Sequence, residues 1–325
     1  MKIGIYGYGN LGRGAEIAIR DSDDAELVGI FTRRDPRSVV TETGARIYRA
    51  EEAGNFADKI DVMLVCGGSA GDLPTLTPML ASVFNVVDSF DTHADISGHL
   101  ARTDEAARKS GNLALVSAGW DPGLFSVARL AFSSFLPHGK TYTFWGKGVS
   151  QGHSDAVRQI DGVKDAREYT VPIEQTVLRV ESGDTREFDA REMHRREVYV
   201  VAEDGADILR IDREIKEMPN YFMPYETSVS FISEEKMKAE HSALPHGGRV
   251  IGTGKTGKNS DHMQTAEYRL DLSSNPEFTA SVLVACARAV FRMKKRGETG
   301  AITMLDICPA DLSPLSRNEM IKKFM

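Results

Sequence analysis

Charged side chains that suit the two ends of an amino acid occur in separate parts of the chain. Asp91 and Asp121 each follow an apolar stretch in the earlier part, and their carboxylates suit an ammonium group. Arg196 and His246 lie in the later part, where both suit a carboxylate through charge-assisted hydrogen bonds. His153 adds a side chain that can manage a proton. Together these side chains favour, as the substrate, an amino acid with charges at both ends over a sugar or an apolar ketone.

Each of these side chains also has a structural interpretation. Asp121 precedes a proline and suits a helix N-cap, a role compatible with facing a ligand, and Asp91 suits a turn. His153 lies between Gly and Ser, where a histidine commonly bonds a loop, and His246 can cap a turn. Arg196 lies in a charged run that is typical of a solvated face. The residue types alone leave both interpretations open.

A glycine motif near the start of the chain indicates the cofactor class. Between an apolar strand and a helix the residues are Gly7, Tyr8, Gly9, Asn10, Leu11 and Gly12. A G-x-G-x-x-G spacing between strand and helix, with a second strand following, is the dinucleotide-binding fingerprint. Gly7 permits the tight turn, Gly9 lets the pyrophosphate approach the backbone, and Gly12 lets the helix pack on the strand. The N–H groups that begin the helix then face the phosphates.

The end of the second strand indicates which dinucleotide binds. An NAD site places Asp or Glu there, whereas this chain has Thr32, Arg33 and Arg34. Two guanidiniums suit a 2′-phosphate, so the sequence favours NADP, although Asp35 follows directly and complicates the choice. Segments after later predicted strands complete the expected cofactor site with Cys66, Gly67, Gly68, Ser69, Asp88 and Ser89.

The elements that must position these residues change in type along the chain. Residues 1 to about 120 alternate strands and helices, with strands predicted at 2–7, 26–31, 61–66, 84–88 and 112–117. Such alternation predicts an α/β fold with a Rossmann-like, doubly wound parallel sheet, whose ligands bind beyond the C-terminal ends of the strands. After about residue 140 the pattern is β-rich and predicts a second, α+β domain on a mixed or antiparallel sheet. Residues 181–195 are expected to form a loop or an exposed helix.

A helix predicted from Asn275 to about Arg296 is expected to pack back on the nucleotide domain. The predicted division is therefore a dinucleotide-binding domain over 1–120, completed by about 276–325, and a substrate-binding and dimerisation domain over 121–275.

Composition excludes several classes of function. The 325 residues carry a net charge of −7, which argues against nucleic acid as the main partner. The histidines show no metal-binding spacing and the three cysteines are scattered, which predicts no metal, no disulfide framework and a reducing, cytoplasmic location. Met1 leads directly into the first predicted strand, so no secretory signal is expected, and no apolar run suits a membrane span.

Six segments along nearly the whole chain resemble the meso-2,6-diaminopimelate D-dehydrogenase family. The most specific are 119–123, Gly-Trp-Asp-Pro-Gly, and 143–156, which contains Phe-Trp-Gly and Ser-Gln-Gly-His-Ser-Asp-Ala. The others are the glycine motif, 27–34, 244–248 and 275–281. Val149, where a bulkier Leu or Met is expected, and a longer loop around 258–262 depart from the family pattern.

The resemblance implies an oxidoreductase of lysine biosynthesis. The expected reaction is reversible oxidative deamination of the D-centre of meso-diaminopimelate, with NADP taking the hydride. The products are ammonia, NADPH and L-2-amino-6-oxopimelate, which cyclises to tetrahydrodipicolinate. The resemblance also implies a homodimer and a hinge motion that closes over the substrate.

Carried over by position, the resemblance assigns roles to individual residues. Those expected to hold the D-centre are Asp91, Trp120 and Asp121. Gln151 and Gly152 are expected to line the middle of the pocket. Those expected to hold the distal L-centre, chiefly its carboxylate, are Thr170, Arg196, His246 and Asn275. The general base stays open among Asp91, Asp121 and His153 acting through a water.

Two other functions compete with this interpretation. One is another NADP-dependent reductase of an amino-acid pathway, which a lysine or histidine base in that family's own motif would support. The other is an NADP-binding regulatory paralogue, which loss of Asp121 or Arg196 would support. Both side chains are present.

Overall fold

The structure, a computed structural model, describes residues 1–136 and 138–325. These residues form two compact units. The first comprises Met1–Val127 and Pro276–Met325, and the second comprises Ala128–Asn275. None of the described helices combines the length and apolarity that crossing a bilayer requires.

The regular elements, over the described residues, are as follows. The strands are β1 (Lys2–Tyr6), β2 (Glu26–Thr32), β3 (Ile47–Arg49), β4 (Val62–Val65), β5 (Val86–Asp88), β6 (Leu113–Leu115), β7 (Lys140–Trp145), β8 (Gly148–Val149), β9 (Val163–Pro172), β10 (His194–Ala202), β11 (Glu226–Phe231), β12 (His246–Thr256), β13 (His262–Leu272) and β14 (Gly300–Ile302). The helices are α1 (Asn10–Arg20), α2 (Leu73–Ala81), α3 (Ile96–Ser110), α4 (Leu124–Phe135), α5 (Gln151–Arg158), α6 (Glu174–Glu181), α7 (Ala190–Met193), α8 (Ile208–Lys216), α9 (Glu234–Glu240), α10 (Asn275–Lys295), α11 (Pro309–Leu312) and α12 (Arg317–Phe324).

The first unit, all of whose residues are described, is built on one parallel sheet. Its strand order is β14-β6-β5-β4-β1-β2-β3, and every pairing is parallel. The order reverses between β1 and β4, and in doubly wound sheets ligands bind outside the strand ends at such a point. The predicted Rossmann-like fold is therefore confirmed, with two added edge strands, β3 and β14.

Side chains of the first sheet alternate between two apolar cores. On β4, Val62 and Leu64 pack with residues of α1 and α10, whereas Met63 and Val65 pack with residues of α2 and α3 on the other face. Parallel strands are typically covered on both faces, and their sequences are then continuously apolar. The helix α10 ends at Lys295, with Gly297 at φ +90° beyond it, as the sequence predicted.

The second unit contains two sheets over its described residues, where the sequence predicted one. The order of the first is β11-β10-β9-β8, with β10 and β11 parallel and the other pairs antiparallel. The other is antiparallel, in the order β13-β12-β7. In the β9–β10 ladder Thr170 lies directly opposite Arg196, and Gly148 of β8 pairs with Thr170 from the other side. Three strands therefore bring these positions side by side.

The charged stretch 181–195 divides between irregular chain and regular structure. Its α7 is a single short helix, which begins with a capping box formed by Asp189 and Glu192. The chain then enters β10 at His194, two residues earlier than predicted. The prediction of a loop or an exposed helix therefore holds only up to Met193.

Candidate active site

The glycine turn after β1 is held by very close backbone contacts. Gly7 has φ +99°, and a Cβ there would lie 2.5 Å from the carbonyl oxygen of Cys66 at the end of β4. A Cβ on Gly12 would lie 2.3 Å from the carbonyl oxygen of Gly7. Neither position accepts a side chain, because the atoms met are backbone. The spacing predicted these constraints, although Gly12 packs on the turn itself rather than on the body of the strand.

Gly9 differs from the other two motif glycines because a Cβ there would meet no protein atom within 4 Å. It precedes α1, whose first turn contains no acidic residue and receives no side-chain cap from Gly9. The positive end of the helix dipole therefore faces open space beside a residue without a side chain. This arrangement fits a phosphate group.

Gly14 is a close-packing position that the sequence analysis missed. A Cβ there would lie 3.0 Å from Cβ of Ala280 and 3.1 Å from the carbonyl oxygen of Pro276. It therefore lets α1 approach α10. The signal available was a fourth glycine two residues after the fingerprint, but its partner lies more than 260 residues away in the chain.

The two arginines after β2 are engaged within the first unit. Arg33 forms an ion pair with Asp72, with 2.9 Å between guanidinium nitrogen and carboxylate oxygen, and remains largely exposed. Arg34 donates a hydrogen bond to the carbonyl of Tyr8 in the glycine turn. The hydroxyl of Thr32 accepts from the backbone N–H of Arg34 at 3.2 Å. Arg34 therefore braces the turn, whereas Arg33 is held by a carboxylate outside it.

Asp35, which complicated the choice between NAD and NADP, has a structural role. Its carboxylate accepts the backbone N–H of Arg37 at 3.1 Å and the guanidinium of Arg37 at 2.9 Å. These bonds cap the short 3-10 helix Pro36–Ser38, and they hold the pKa of Asp35 below its ordinary value. The carboxylate is thus occupied by Arg37.

A buried carboxylate behind the glycine turn was also missed. Glu16 of α1 is fully buried and accepts hydrogen bonds from the hydroxyl of Tyr8 and from the hydroxyl and N–H of Thr43, the latter two at 2.5 and 2.7 Å. Burial raises the pKa of Glu16, but the bonds from Thr43, Tyr8 and the backbone of Glu42 outweigh it and the pKa is lowered. An ionised Glu16 therefore ties the 42–43 loop to the turn.

A backbone N–H of the segment after β5 is hydrogen-bonded to a side chain of the segment after β4. Ser69 accepts a hydrogen bond from the N–H of Asp91 at 2.8 Å, and the N–H of Gly68 donates to Asp72 at 2.9 Å. Asp91 is exposed and Ser89 is half-buried. Cys66 is buried, which raises the pKa of its thiol to about 12 and makes it a poor nucleophile.

Asp88 is a support within the fold. Its carboxylate is fully buried and accepts hydrogen bonds from Nε2 of His99 at 2.6 Å and from the hydroxyl of Thr77 at 2.7 Å. The backbone N–H groups of Phe90 and Ser117 donate to its other oxygen, at 3.1 and 2.8 Å. This carboxylate has no accessible face. Any contact at this position falls to the backbone.

The Gly-Trp-Asp-Pro-Gly segment leads into α4. Trp120 is buried against Phe125, with ring centroids 5.2 Å apart in a T-shaped arrangement. Asp121 is half-buried, and α4 begins at Leu124. The position directly before the helix is therefore Gly123, so Asp121 is not at the N-cap where the structural alternative placed it.

At the start of α5, in the second unit, His153 is held by a capping serine. The hydroxyl of Ser150 lies 2.7 Å from Nδ1 of His153 and also accepts its backbone N–H. Burial lowers the pKa of His153 to about 3, and Arg196 acts in the same direction. The imidazole is therefore neutral at ordinary pH. Gln151 and Gly152, the first residues of the helix, are both exposed.

Arg196 belongs to a buried ion cluster that we define as Glu168, Thr170 and Arg196. Arg196 is only 7% exposed, which excludes the solvated face that its charged run suggested. Its Nη1 donates to Thr170 and, at 3.3 Å, to Oε1 of Glu168, and the guanidinium lies 4.0 Å from the ring centroid of Tyr225. Glu168 and Thr170 are two residues apart on β9 and so share a face. The cluster joins a cation to a carboxylate that the sequence analysis did not single out.

Glu168 is fully buried, and burial raises its pKa to about 7 although Arg196 acts in the opposite direction. Within the described part of the chain its Oε2 has no hydrogen-bond partner, and the same holds for Nε of Arg196. Buried polar atoms are normally satisfied, so each one that is not calls for an explanation, of which a functional role is one. The buried ion cluster is therefore incomplete on both its anionic and its cationic side.

His246 and Asn275 lie near the same edge. His246 begins β12, its Nδ1 accepts the N–H of Gly247 at 2.8 Å, and a Cβ on Gly148 would lie 2.6 Å from that nitrogen. The N–H of Asn275 donates to the carbonyl of Leu244 at 3.0 Å. Because Gly148 pairs with Thr170, the second unit places His246 beside the buried ion cluster.

Comparison with known proteins decides the family. Residues 119–274 match the family model for the C-terminal domain of diaminopimelic acid dehydrogenase. The chain is 52% identical to the meso-diaminopimelate D-dehydrogenase of Acetivibrio thermocellus, covering 100% of this chain and 98% of that protein. The chain belongs to the meso-diaminopimelate D-dehydrogenase family.

Solved structures of related proteins match the structure of this chain over its full length. The diaminopimelate dehydrogenase of Corynebacterium glutamicum, solved in complex with diaminopimelate, has a TM-score of 0.93 and 42% identity, covering 100% of this chain and 99% of that one. An engineered D-amino acid dehydrogenase bound to NADP⁺ has a TM-score of 0.89 and 41% identity, with the same coverage. The family resemblance drawn from the sequence is thus confirmed.

Proposed function

We propose that this protein catalyses the reversible, NADP-dependent oxidative deamination of the D-centre of meso-2,6-diaminopimelate. The products are ammonia, NADPH and L-2-amino-6-oxopimelate, which cyclises to tetrahydrodipicolinate, in lysine biosynthesis. The observation that carries this proposal is the 52% identity to a meso-diaminopimelate D-dehydrogenase over the whole chain. The geometry of the two units supports it at the level of individual residues.

The first unit supplies the residues that would hold NADP. The open space at Gly9, the uncapped start of α1 and the close contacts of Gly7 and Gly12 fit a pyrophosphate. Arg33 and Arg34 suit a 2′-phosphate, with Asp35 occupied by Arg37. We assign the remaining contacts to Thr32, to the backbone of 66–69 and to residues 88–89. When bound, NADP⁺ supplies the acceptor for the hydride.

The chemistry at the D-centre begins with a proton. The substrate amine must be deprotonated before hydride leaves its carbon, and water then attacks the imine and releases ammonia. Asp91 and Asp121 are our candidates to bind the ammonium group, with Trp120 beside them. Two carboxylates favour the charged ammonium and so raise its pKa, which helps binding more than deprotonation.

The pKa of His153 does not decide the general base. At about 3 it makes the imidazole a weak base at neutral pH, and aspartate carboxylates are in general comparably weak bases. The general base therefore stays open among Asp91, Asp121 and His153 acting through a water, and His153 also suits a positioning role beside Ser150. Gln151 and Gly152, exposed at the start of α5, suit the middle of the pocket.

The second unit supplies the residues proposed for the distal L-centre. Arg196, with Thr170 opposite it and His246 nearby, offers a cation and hydrogen-bond donors for a carboxylate. Asn275 follows from the family pattern. Fixing one end of the substrate lets only one face of the D-carbon meet the nicotinamide, which explains D-specificity.

We further propose a homodimer that associates through the second unit, and a cytoplasmic location. Several large apolar side chains of this unit are exposed, including Leu209 at 77% and Met223 at 56%. Exposed apolar side chains of this size are candidates for an association surface. Size-exclusion chromatography with light scattering should give twice the chain mass, and a monomer at micromolar concentration would contradict the assembly.

NADPH formation, followed by absorbance, tests the function. Purified protein is given NADP⁺ or NAD⁺ and separated meso-, LL- and DD-diaminopimelate. The expected result is activity on the meso isomer with NADP⁺ alone. No activity on any of the three isomers, with NADP⁺ still bound, would contradict the proposal and favour another amino-acid substrate or a regulatory protein.

A further inference from the structure

The buried ion cluster contains a carboxylate for which the proposed binding of a substrate has no use. Arg196 is the proposed ligand of the distal carboxylate, yet its Nη1 already donates to Glu168 at 3.3 Å. The backbone of Glu168 is fixed from the other side, because its N–H donates to Ser154 at 2.9 Å and its carbonyl accepts from the N–H of Ser150 at 3.0 Å. With its backbone anchored and its side chain buried beside Arg196, Glu168 would share that one guanidinium with an arriving carboxylate.

The other ionisable groups near the cluster do not supply a compensating charge. His153 on α5 and His194 on β10 both have a pKa of about 3, lowered by burial and by Arg196, so both are neutral. His246 on β12 faces β8, and its Nδ1 is already an acceptor. Glu168 and Arg196 therefore balance each other, and an added carboxylate leaves an uncompensated negative charge. An unbalanced buried charge is strongly disfavoured.

We propose that Glu168 is the positioning residue for Arg196, and that it takes up one proton from solvent when a substrate carboxylate binds there. The inference rests on the proposed function, since it needs a distal carboxylate. The proton forms an O–H bond on the Glu168 carboxyl, and no substrate bond changes. The cluster then holds one guanidinium and one substrate carboxylate and stays neutral.

Two observations agree with proton uptake by Glu168. Oε2 of Glu168 has no partner among the described residues and is the atom available to carry the proton. The carboxyl is also poised to titrate, because its pKa is raised to about 7. Proton uptake on binding is thus accessible near neutral pH.

The test counts protons during substrate binding. Enzyme saturated with NADPH, which cannot turn over, is titrated calorimetrically with meso-diaminopimelate at about pH 8 in buffers of low and high ionisation enthalpy. The wild type should take up most of one proton more than Glu168→Gln. In turnover assays the variant should also lose the weakening of substrate KM with rising pH, while kcat changes less.

The matched control is Glu197→Gln on the same strand as Arg196. Glu197 pairs with Lys147 at 2.9 Å and Arg195 at 3.1 Å, which outweigh its burial and lower its pKa, so it stays ionised. This variant should take up as many protons as the wild type. Equal proton uptake by wild type and Glu168→Gln, both folded by circular dichroism, would overturn the inference.

A ligand-free measurement separates this inference from the proposed function. Carbon NMR of protein labelled at glutamate carboxyls should show one resonance, absent from Glu168→Gln, that titrates with a midpoint near 7. A Glu168 resonance that titrates as an ordinary carboxyl overturns the inference whatever the substrate. Absence of any binding heat from meso-diaminopimelate, with NADPH still bound, counts against the function instead.

Discussion

The glycine turn and the buried ion cluster achieve ligand recognition by opposite means. The turn is formed by backbone, and its decisive property is the absence of side chains at Gly7, Gly9 and Gly12. The cluster is formed by side chains, and its decisive property is charge held away from water at Glu168 and Arg196. The first is sensitive to added volume, and the second is sensitive to lost or unbalanced charge.

This difference separates the expected effects of mutation. A methyl group at the turn should impair cofactor binding without touching the substrate residues. Loss of a charge in the cluster should impair substrate binding without touching the cofactor residues, and it should also change stability because its former partner stays buried. The two kinds of variant therefore have distinguishable signatures.

The largest effect is expected at Arg196. Arg196→Met should raise the KM for meso-diaminopimelate by about 100-fold or more, because a buried charge pair with the substrate is lost, while the Kd of NADPH stays nearly unchanged. The variant should also be less stable by about 3 kcal/mol, since Glu168 loses its partner. Steady-state kinetics and denaturant unfolding measure both.

A double variant separates the two consequences of that change. Adding Glu168→Gln to Arg196→Met removes the unpaired buried carboxylate. The double variant should recover much of the lost free energy of unfolding, but its KM for meso-diaminopimelate should stay raised. Recovery of both would show that Arg196 supports the fold rather than the substrate. Equal weakening of NADPH and substrate by Arg196→Met would break the separation between the two regions.

At the turn, Gly9→Ala should weaken NADPH binding by about 10- to 100-fold, because the methyl group occupies space assigned to a phosphate bonded by backbone N–H groups. The melting temperature should stay the same, since a Cβ there meets no protein atom. Gly54→Ala is the matched control, because its Cβ also meets nothing, and NADPH binding should then stay unchanged. Normal NADPH affinity in Gly9→Ala would place the phosphates elsewhere.

The two arginines after β2 should differ from each other. Arg33→Ala should lower the NADP/NAD ratio of kcat/KM by about three- to tenfold, a modest effect because the side chain is 66% exposed. Arg34→Ala should weaken both cofactors, since it also removes the bond to the carbonyl of Tyr8. An unchanged ratio in both variants would exclude them as the 2′-phosphate site.

The smallest expected effect concerns the free energy of unfolding at acid pH. Burial lowers the pKa of His194 from 6.5 to about 3, so below about pH 6.5 the unfolded chain binds a proton that the native protein does not. The free energy of unfolding should therefore fall as pH drops from about 6.5 towards 3. Glu168 acts in the opposite sense, since its raised pKa contributes stability that is lost as pH rises through about 7.

Thermal unfolding of His194→Gln measures the histidine contribution. The glutamine oxygen can still accept the N–H of Trp145, which His194 accepts at 2.9 Å. Between about pH 6.5 and 4.5 this variant should lose less of its melting temperature than the wild type, by a few degrees. If the melting temperatures of the variant and the wild type fell in parallel with pH, His194 would be protonated in the native protein.

The first unit was the more predictable from sequence because its signals are local. The fingerprint Gly7–Gly12, the arginines at 33–34 and the continuously apolar strands each lie within a few residues. The edge strands β3 and β14 were missed because three-residue strands carry little pattern. The burial of the Asp88 side chain was not predicted, because its partners come from α2, α3 and the segment after β6.

The second unit was predicted mainly by likeness to a family. Arg196 was chosen as a functional candidate from its charge, but its burial follows from the pairing of β9 with β10, which no local pattern reveals. The sequence of β9 has no clear strand pattern, because Lys164, Asp165, Arg167 and Glu168 make it look solvated. Glu168 therefore resembled one more surface charge.

Isotope transfer from the substrate tests the central claim most directly. Meso-diaminopimelate carrying deuterium at the D-carbon, and separately at the L-carbon, is oxidised with NADP⁺, and the NADPH is analysed by mass spectrometry. The account predicts deuterium in the NADPH from the D-labelled substrate and none from the L-labelled one. Transfer from the L-carbon, or from both, would contradict it.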